Sequence, residues 1–118
     1  MAIVQTFEAE LRGGVQEYRF SYASVGTGNG IEILFQFPVY IHQLVASWST
    51  SVTMTLQVVL PSGTLYVVKD FTSVQSIVLN SLSSAFVYWM ELPAGTRVQL
   101  NVSGAITNLN LSIVARPI

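Results

Sequence analysis

Apolar and polar residues alternate along most of this chain. From Ile31, the segment IEILFQF sets Ile31, Ile33, Phe35 and Phe37 on one side of an extended backbone. VTMTLQVVL does the same, with Val52, Met54, Leu56 and Val58 opposed to Thr53, Thr55 and Gln57. Further on, Val98, Leu100 and Val102 alternate with Arg97, Gln99, Asn101 and Ser103, and in ITNLNLSIVA Leu109, Leu111 and Ile113 oppose Asn108, Asn110 and Ser112. Period two marks a strand with one face in a core and the other in water. Pro38 breaks the ladder before VYIHQLVASW, Pro61-Ser62-Gly63 and Pro93-Ala94-Gly95-Thr96 sit at turn positions, and Pro117 ends the last strand. No segment carries apolar residues at i, i+3, i+4 and i+7 behind a cap, so no long helix is predicted. About eight to ten short strands with turns at hairpin spacing predict an all-β fold, a β-sandwich of jelly-roll type. Neighbouring segments are not self-similar, which argues against a propeller or solenoid.

The first residues read as an N-terminal β-hairpin, 1–23, turning at Gly13-Gly14. Its register would set Phe7 opposite Phe20 and Ala9 opposite Tyr18 on an apolar face, with Glu8 opposite Arg19 and Glu10 opposite Glu17 on the other. SVGTGNG, 24–30, has the glycine content of a loop, and the sandwich body follows over 31–116. The whole, 1–118, reads as a single domain.

One stretch breaks the alternation. In FVYWM, residues 86–90, Phe86, Tyr88 and Met90 point one way and Val87 and Trp89 the other, so both faces are apolar. A single sheet buries only one of them. The other face, on the Tyr88 or the Trp89 side, is expected to lie in an interface between subunits, with Glu91 at its rim.

Composition sharpens that expectation. Charged residues make up 9% of the chain, against about a quarter in an ordinary globular protein, and 51% of residues are apolar. The surface must therefore be uncharged, partly apolar or covered. A net charge of −1 supplies no electrostatic footprint for nucleic acid or an anionic membrane, and neither is expected as a partner. Cysteine is absent, which removes disulfides and thiolate chemistry together. No formally charged side chain lies between Glu32 and Lys69, but that stretch contains Gln43, SWSTS and LPSG and its apolar residues fall at period two, so it is not read as a membrane span. A membrane β-barrel, whose strands also alternate, would be expected to carry an export signal and aromatic girdles. MAIVQTFEAELRGG has no basic stretch followed by an apolar one, so no classical secretory signal is read there, and the protein is expected either to be made and kept in a cytoplasm or to have been processed already.

The chemical inventory is short. His42 is the one histidine, and a structural place on a strand outweighs a catalytic one. Serines abound without a G-x-S-x-G elbow, so no nucleophile is marked. Glu8 and Glu10 share a strand face at about 7 Å, but beside Arg19 they read as a charge-balanced solvated face, not a glycosidase pair. Asp70 after Lys69 reads as a turn aspartate, and the acids are too scattered for calcium. GTGNG has no following helix or lysine to make a phosphate cradle. No catalytic, cofactor-binding or metal-binding residue is therefore expected, and no cofactor. The aromatic residues Tyr40, Trp48, Tyr88 and Trp89 remain, as core, as an interface, or as a stacking platform for a glycan.

A cysteine-free, charge-poor β chain carrying LPSGTLYVV and ELPAGTRVQLNVSG resembles the small virion proteins of tailed bacteriophages, decoration or cement proteins in particular. The resemblance is one of style, spans roughly Ile31 to Val114, and brings no functional residues with it. It implies a homo-oligomeric β-sandwich, a trimer by preference, that binds and stabilises a capsid shell in the virion. A carbohydrate-binding module, or a receptor-binding accessory using exposed aromatics, is the rival from another class. Under the assembly reading, Trp89→Glu places a charge in a buried contact; it is expected to dissociate the oligomer, read by light scattering, and to leave the β-sheet circular dichroism intact.

Overall fold

A computed structural model of the chain describes residues 3–7, 16–80 and 91–118. Its strands are β1 (Ile3–Phe7), β2 (Gln16–Val25), β3 (Gly28–Phe35), β4 (Val39–Val59), β5 (Leu65–Asn80), β6 (Glu91–Leu92), β7 (Thr96–Val102) and β8 (Ile106–Pro117). The fold is all-β, as the alternation predicts. The expected turn at Gly13-Gly14, the carboxylates Glu8 and Glu10, and FVYWM with Tyr88 and Trp89 lie outside the described residues.

β4 organises the sheet. β5 runs antiparallel along one of its edges, from Gln43↔Asn80 to Val59↔Leu65. The other edge is shared: β8 takes the first half, Val39↔Pro117 to Ser47↔Asn110, and β7 the second, Met54↔Val102 to Val59↔Arg97. β2 then pairs with β8, and β3 with β7. The result is a set of long ribbons bent at a common line. Along that line β2 gives way to β3 at Gly26-Thr27, β7 to β8 at Ser103-Gly104-Ala105, and β4 loses register between Ser47 and Val52. Folding the sheet over on itself turns its two apolar faces inward. Ile41, Leu44, Ala46, Leu109, Leu111 and Ile113 on one half meet Ile31, Ile33, Met54, Leu56, Val98 and Leu100 on the other in one buried cluster. This is a sandwich made from a doubled sheet.

Three corrections follow from the pairing. The N-terminal hairpin does not occur in the expected register, because β1 and β2 stand at opposite ends of the strand order. β1 adds to β3 in parallel with Phe7 beside Phe35, while Phe20 lies opposite Leu111 of β8. The reason is burial. On β8, Tyr18, Phe20 and Tyr22 find Ile113, Leu111 and Leu109 and pack against the core, whereas an isolated two-stranded hairpin has no core to cover its apolar face. Secondly, 24–30 is mostly strand rather than loop. Gly28, at φ 89°, opens β3, and a bulge at Gly30 shifts the register between Asn29 and Ile31. Thirdly, Asp70 sits within β5 opposite Thr55, not at a turn.

Phase slips in the apolar pattern of β4 and β5 are bulges. Ile41 and Leu44 are both fully buried although three residues apart, because the register shifts between Ile41 and Gln43 and His42 takes up the extra position. Ile106 and Leu109 are likewise both buried three residues apart, with Asn108 between them at φ 55°, but there the register with β2 is unbroken. On β5, Ser73 at φ 52° lies at a register shift near the bend.

Gly30 tests this account of the bend. A Cβ there would collide with the Val25 side chain and lie 2.7 Å from the Gly26 carbonyl oxygen, whereas one at Gly26 would meet nothing within 4 Å. Gly30→Ala is expected to lower stability by about 1–3 kcal/mol in urea unfolding. Gly26→Ala should change it by less than about 0.5 kcal/mol.

Candidate interaction surfaces

Of the aromatic residues singled out from the sequence, Trp48 lies in the core. It is 5% exposed at the bend of β4, and its indole Nε1 donates to the Val74 carbonyl at 3.1 Å. Both its apolar body and its polar tip are satisfied within the chain, so it belongs to the core and leaves little to bury in an interface. Tyr40 is half-buried. The Arg116 guanidinium stands 4.7 Å from its ring centroid and the His42 ring 4.7 Å away on a tilt of 55°, so neither is it an open stacking platform.

Among the described residues His42 gains no catalytic partner. Its Nε2 is buried with no hydrogen-bond partner among the described residues. The ion pairs among those residues lie elsewhere: Arg19 Nε to Glu17 Oε1 at 3.0 Å and Arg97 Nε to Glu32 Oε1 at 3.6 Å. No group of three or more potential metal ligands occurs among the described residues, and no helix there is long and apolar enough to cross a membrane.

Two surfaces stand out instead. The first is the start of β5, whose pairing among the described residues is with β4 alone. Leu65, Tyr66 and Val67 are 50%, 56% and 55% exposed, an apolar run on both faces of an edge strand. Natural edges are usually shortened, charged or covered. Beside it opens a mainly apolar cleft of about 490 Å³, where Val58 and Leu92 of the core form part of the wall and Glu91 supplies the charge. Sequence alternation missed this surface, since TLYVV reads equally well as a fully buried strand.

The second is polar and lies on the outer faces of the doubled sheet. Over β4, β7 and β3, Gln57 Nε2 donates to Gln99 Oε1 and Gln99 Nε2 to Glu32 Oε2, both at 2.7 Å, and Arg97 closes the row on the Glu32 carboxylate. Gln57 and Gln99 are only 7% exposed, so each amide depends on its neighbour. Over β2, β8 and the first half of β4 the outer face holds a shallow depression of about 460 Å³, lined by polar and apolar groups in about equal measure. There Ser112 Oγ donates to Glu17 Oε2 at 2.8 Å; this bond first, with Arg19 adding to it, holds the Glu17 carboxyl below its ordinary value against the opposing effect of desolvation. Ser21 Oγ donates to Asn110 Oδ1 at 2.9 Å.

No family model matches the chain, and no curated protein matches it at a significant level. Among solved structures it is similar to RmlC from Streptococcus suis in complex with dTDP-D-xylose, at 11% identity and a TM-score of 0.36 over 88% of this chain and 44% of that one. It is similar to the Yersinia pseudotuberculosis-derived mitogen at 14% identity and a TM-score of 0.29, over 89% and 86% of the two chains. A structure of infectious bursal disease virus, Gx strain, aligns at 12% identity and a TM-score of 0.31 over 92% of this chain and 33% of that one. The chain thus spans less than half the length of the first and third of these. At such TM-scores the likenesses decide nothing about chemistry, and the fold rests on its own strand pairing.

The polar row yields a direct test. Gln99→Ala removes the acceptor of the Gln57 Nε2 bond and the donor to one Glu32 oxygen together, and is expected to reduce stability by about 1–3 kcal/mol in urea unfolding. Replacing Gln57 and Gln99 together by leucine removes both partners and should cost less than the single change.

Proposed function

We propose that this chain is a non-enzymatic assembly protein, a homo-oligomer that binds a larger shell and reinforces it, as the decoration or cement protein of a viral capsid does. The observation that carries this reading is the exposed apolar run Leu65-Tyr66-Val67 on the β5 edge, beside a cleft that reaches the core. Edge backbone and apolar side chains offered together suit association with another protein chain. The scarcity of charge supports it too, since little on the surface repels an uncharged partner. About 800 Å² of apolar area buried on one side corresponds to roughly 20 kcal/mol before association costs. Most of that is consumed, but a small remainder repeated over many equivalent sites stabilises a shell. A trimer within the virion is the form the resemblance favours. Among the described residues no cluster of three or more acids and histidines forms and His42 Nε2 has no hydrogen-bond partner, so neither lends support to an acid–base mechanism.

Tyr66→Glu tests the surface directly, because it sets a charge in the middle of the run and touches little of the core. The wild-type chain is expected to be oligomeric by light scattering, and the variant to fall to a monomer with its β-sheet circular dichroism unchanged. A wild-type protein that stays monomeric at high concentration and binds no shell would remove this reading.

A further inference from the structure

We propose that the depression on the outer face of β2, β8 and the first half of β4 binds a neutral saccharide. The inference is independent of the assembly reading, since it uses the other face of the other half of the sheet.

The register builds the site as a lattice. Gln43, Val114 and Glu17 form one cross-strand row, Val45, Ser112 and Arg19 the next, and Ser47, Asn110 and Ser21 the third. Rows on one face repeat about every 7 Å along the strands, and neighbouring strands lie about 4.8 Å apart. A hexose ring therefore spans about one cell of this lattice and can reach polar groups on several of its sides.

The chemistry of the cell is amphipathic. Val45 lies in the depression, and Val78 of β5, paired with it, is 59% exposed. Together they offer an apolar patch on which the C–H face of a sugar can rest. Around it stand hydrogen-bonding groups of two kinds. Glu17 and Asn110 are already oriented, the first by Ser112 and Arg19 and the second by Ser21. Gln43 and Ser47 make no side-chain hydrogen bond among the described residues, so a ligand gains their donors and acceptors without displacing an internal partner. Side-chain amides and hydroxyls that both donate and accept match the vicinal hydroxyls of a saccharide. The Glu17 and Arg19 charges cancel within the pair, so the face holds no excess positive charge for a phosphate, a sialic acid or a nucleic acid.

A shallow open site of this sort is expected to bind on the order of millimolar. The test is a two-dimensional NMR titration of the ¹⁵N-labelled chain with glucose, galactose, mannose, N-acetylglucosamine and their disaccharides, to roughly ten times that concentration. Saturable shifts are expected at the Ser47, Asn110 and Ser112 amides and at the Gln43 side-chain NH₂. They should weaken at least about tenfold in a folded Gln43→Ala/Asn110→Ala double variant, with glucuronate binding no better than glucose. Three results would overturn the proposal: no saturable shift with any neutral sugar, shifts that map to another surface, or shifts that survive the double variant unchanged. Repeating the titration on Tyr66→Glu keeps the two readings apart, because loss of assembly leaves this face in place.

Discussion

The structure depends on how one sheet turns back on itself. A ribbon bent sharply loses ladder hydrogen bonds at the bend, and each backbone group released there needs another partner. Side chains supply them. Thr53 N–H donates to Ser103 Oγ while Ser103 N–H donates back to the Thr53 carbonyl, and Ser49 Oγ donates to the Thr107 carbonyl. Gln75 Nε2 reaches Ser51 Oγ, and Trp48 caps the Val74 carbonyl beside the left-handed Ser73. Serine and threonine suit this line because their short hydroxyls bond to nearby backbone. Once the bend is closed, both apolar faces are committed to one interior.

That commitment explains what each strand displays outside. With the inner face of β4 spent on Leu44, Ala46, Met54 and Leu56, the outer face carries Gln43, Ser47, Thr55 and Gln57. Few of these outward residues are charged, so beside the Arg19–Glu17 and Arg97–Glu32 ion pairs the sheet keeps its outer register with amide and hydroxyl hydrogen bonds. Thr55 to Asp70 at 2.6 Å and Gln57 to Gln99 at 2.7 Å are examples. A row of this kind also opposes slippage, because a one-residue shift would turn the amides toward the apolar interior and the core side chains outward.

Alternation made the strands and most of the core legible in the sequence, from Ile31 through Ile113. What it did not reveal is continuity. VYIHQLVASW and VTMTLQVVL read as separate strands because their apolar phase slips, yet both lie in β4, joined through the bend. The spacing of Ile41 and Leu44 carries the bulge signal at His42, but a phase slip and a strand end look alike without knowledge of the partner strand. Likewise a Gly-Gly turn between two alternating runs argues for a hairpin locally, while the pairing was decided by β8, which is ninety residues away and presents the complementary apolar row. For the surfaces, Trp48 drew attention as an aromatic that turned out to be core, and Tyr66 drew none because TLYVV has no alternation to separate an inner face from an outer one.

Long-range pairing of this kind links the interior to the exposed edge. β5 must follow β4 around the bend, and it does so through bulges on its own chain, so its two ends are held in different halves of the sandwich. Its final residues set Ile77 and Leu79 into the core, but its first residues lie where the sandwich is open, with only β4 beside them among the described residues. Leu65, Tyr66 and Val67 are thus exposed because of where the doubled sheet ends, not because the chain lacks a core to receive them. Covering them from within would require another strand at that edge. A partner chain can satisfy the same constraint from outside, and the low surface charge removes one of the usual barriers to its approach.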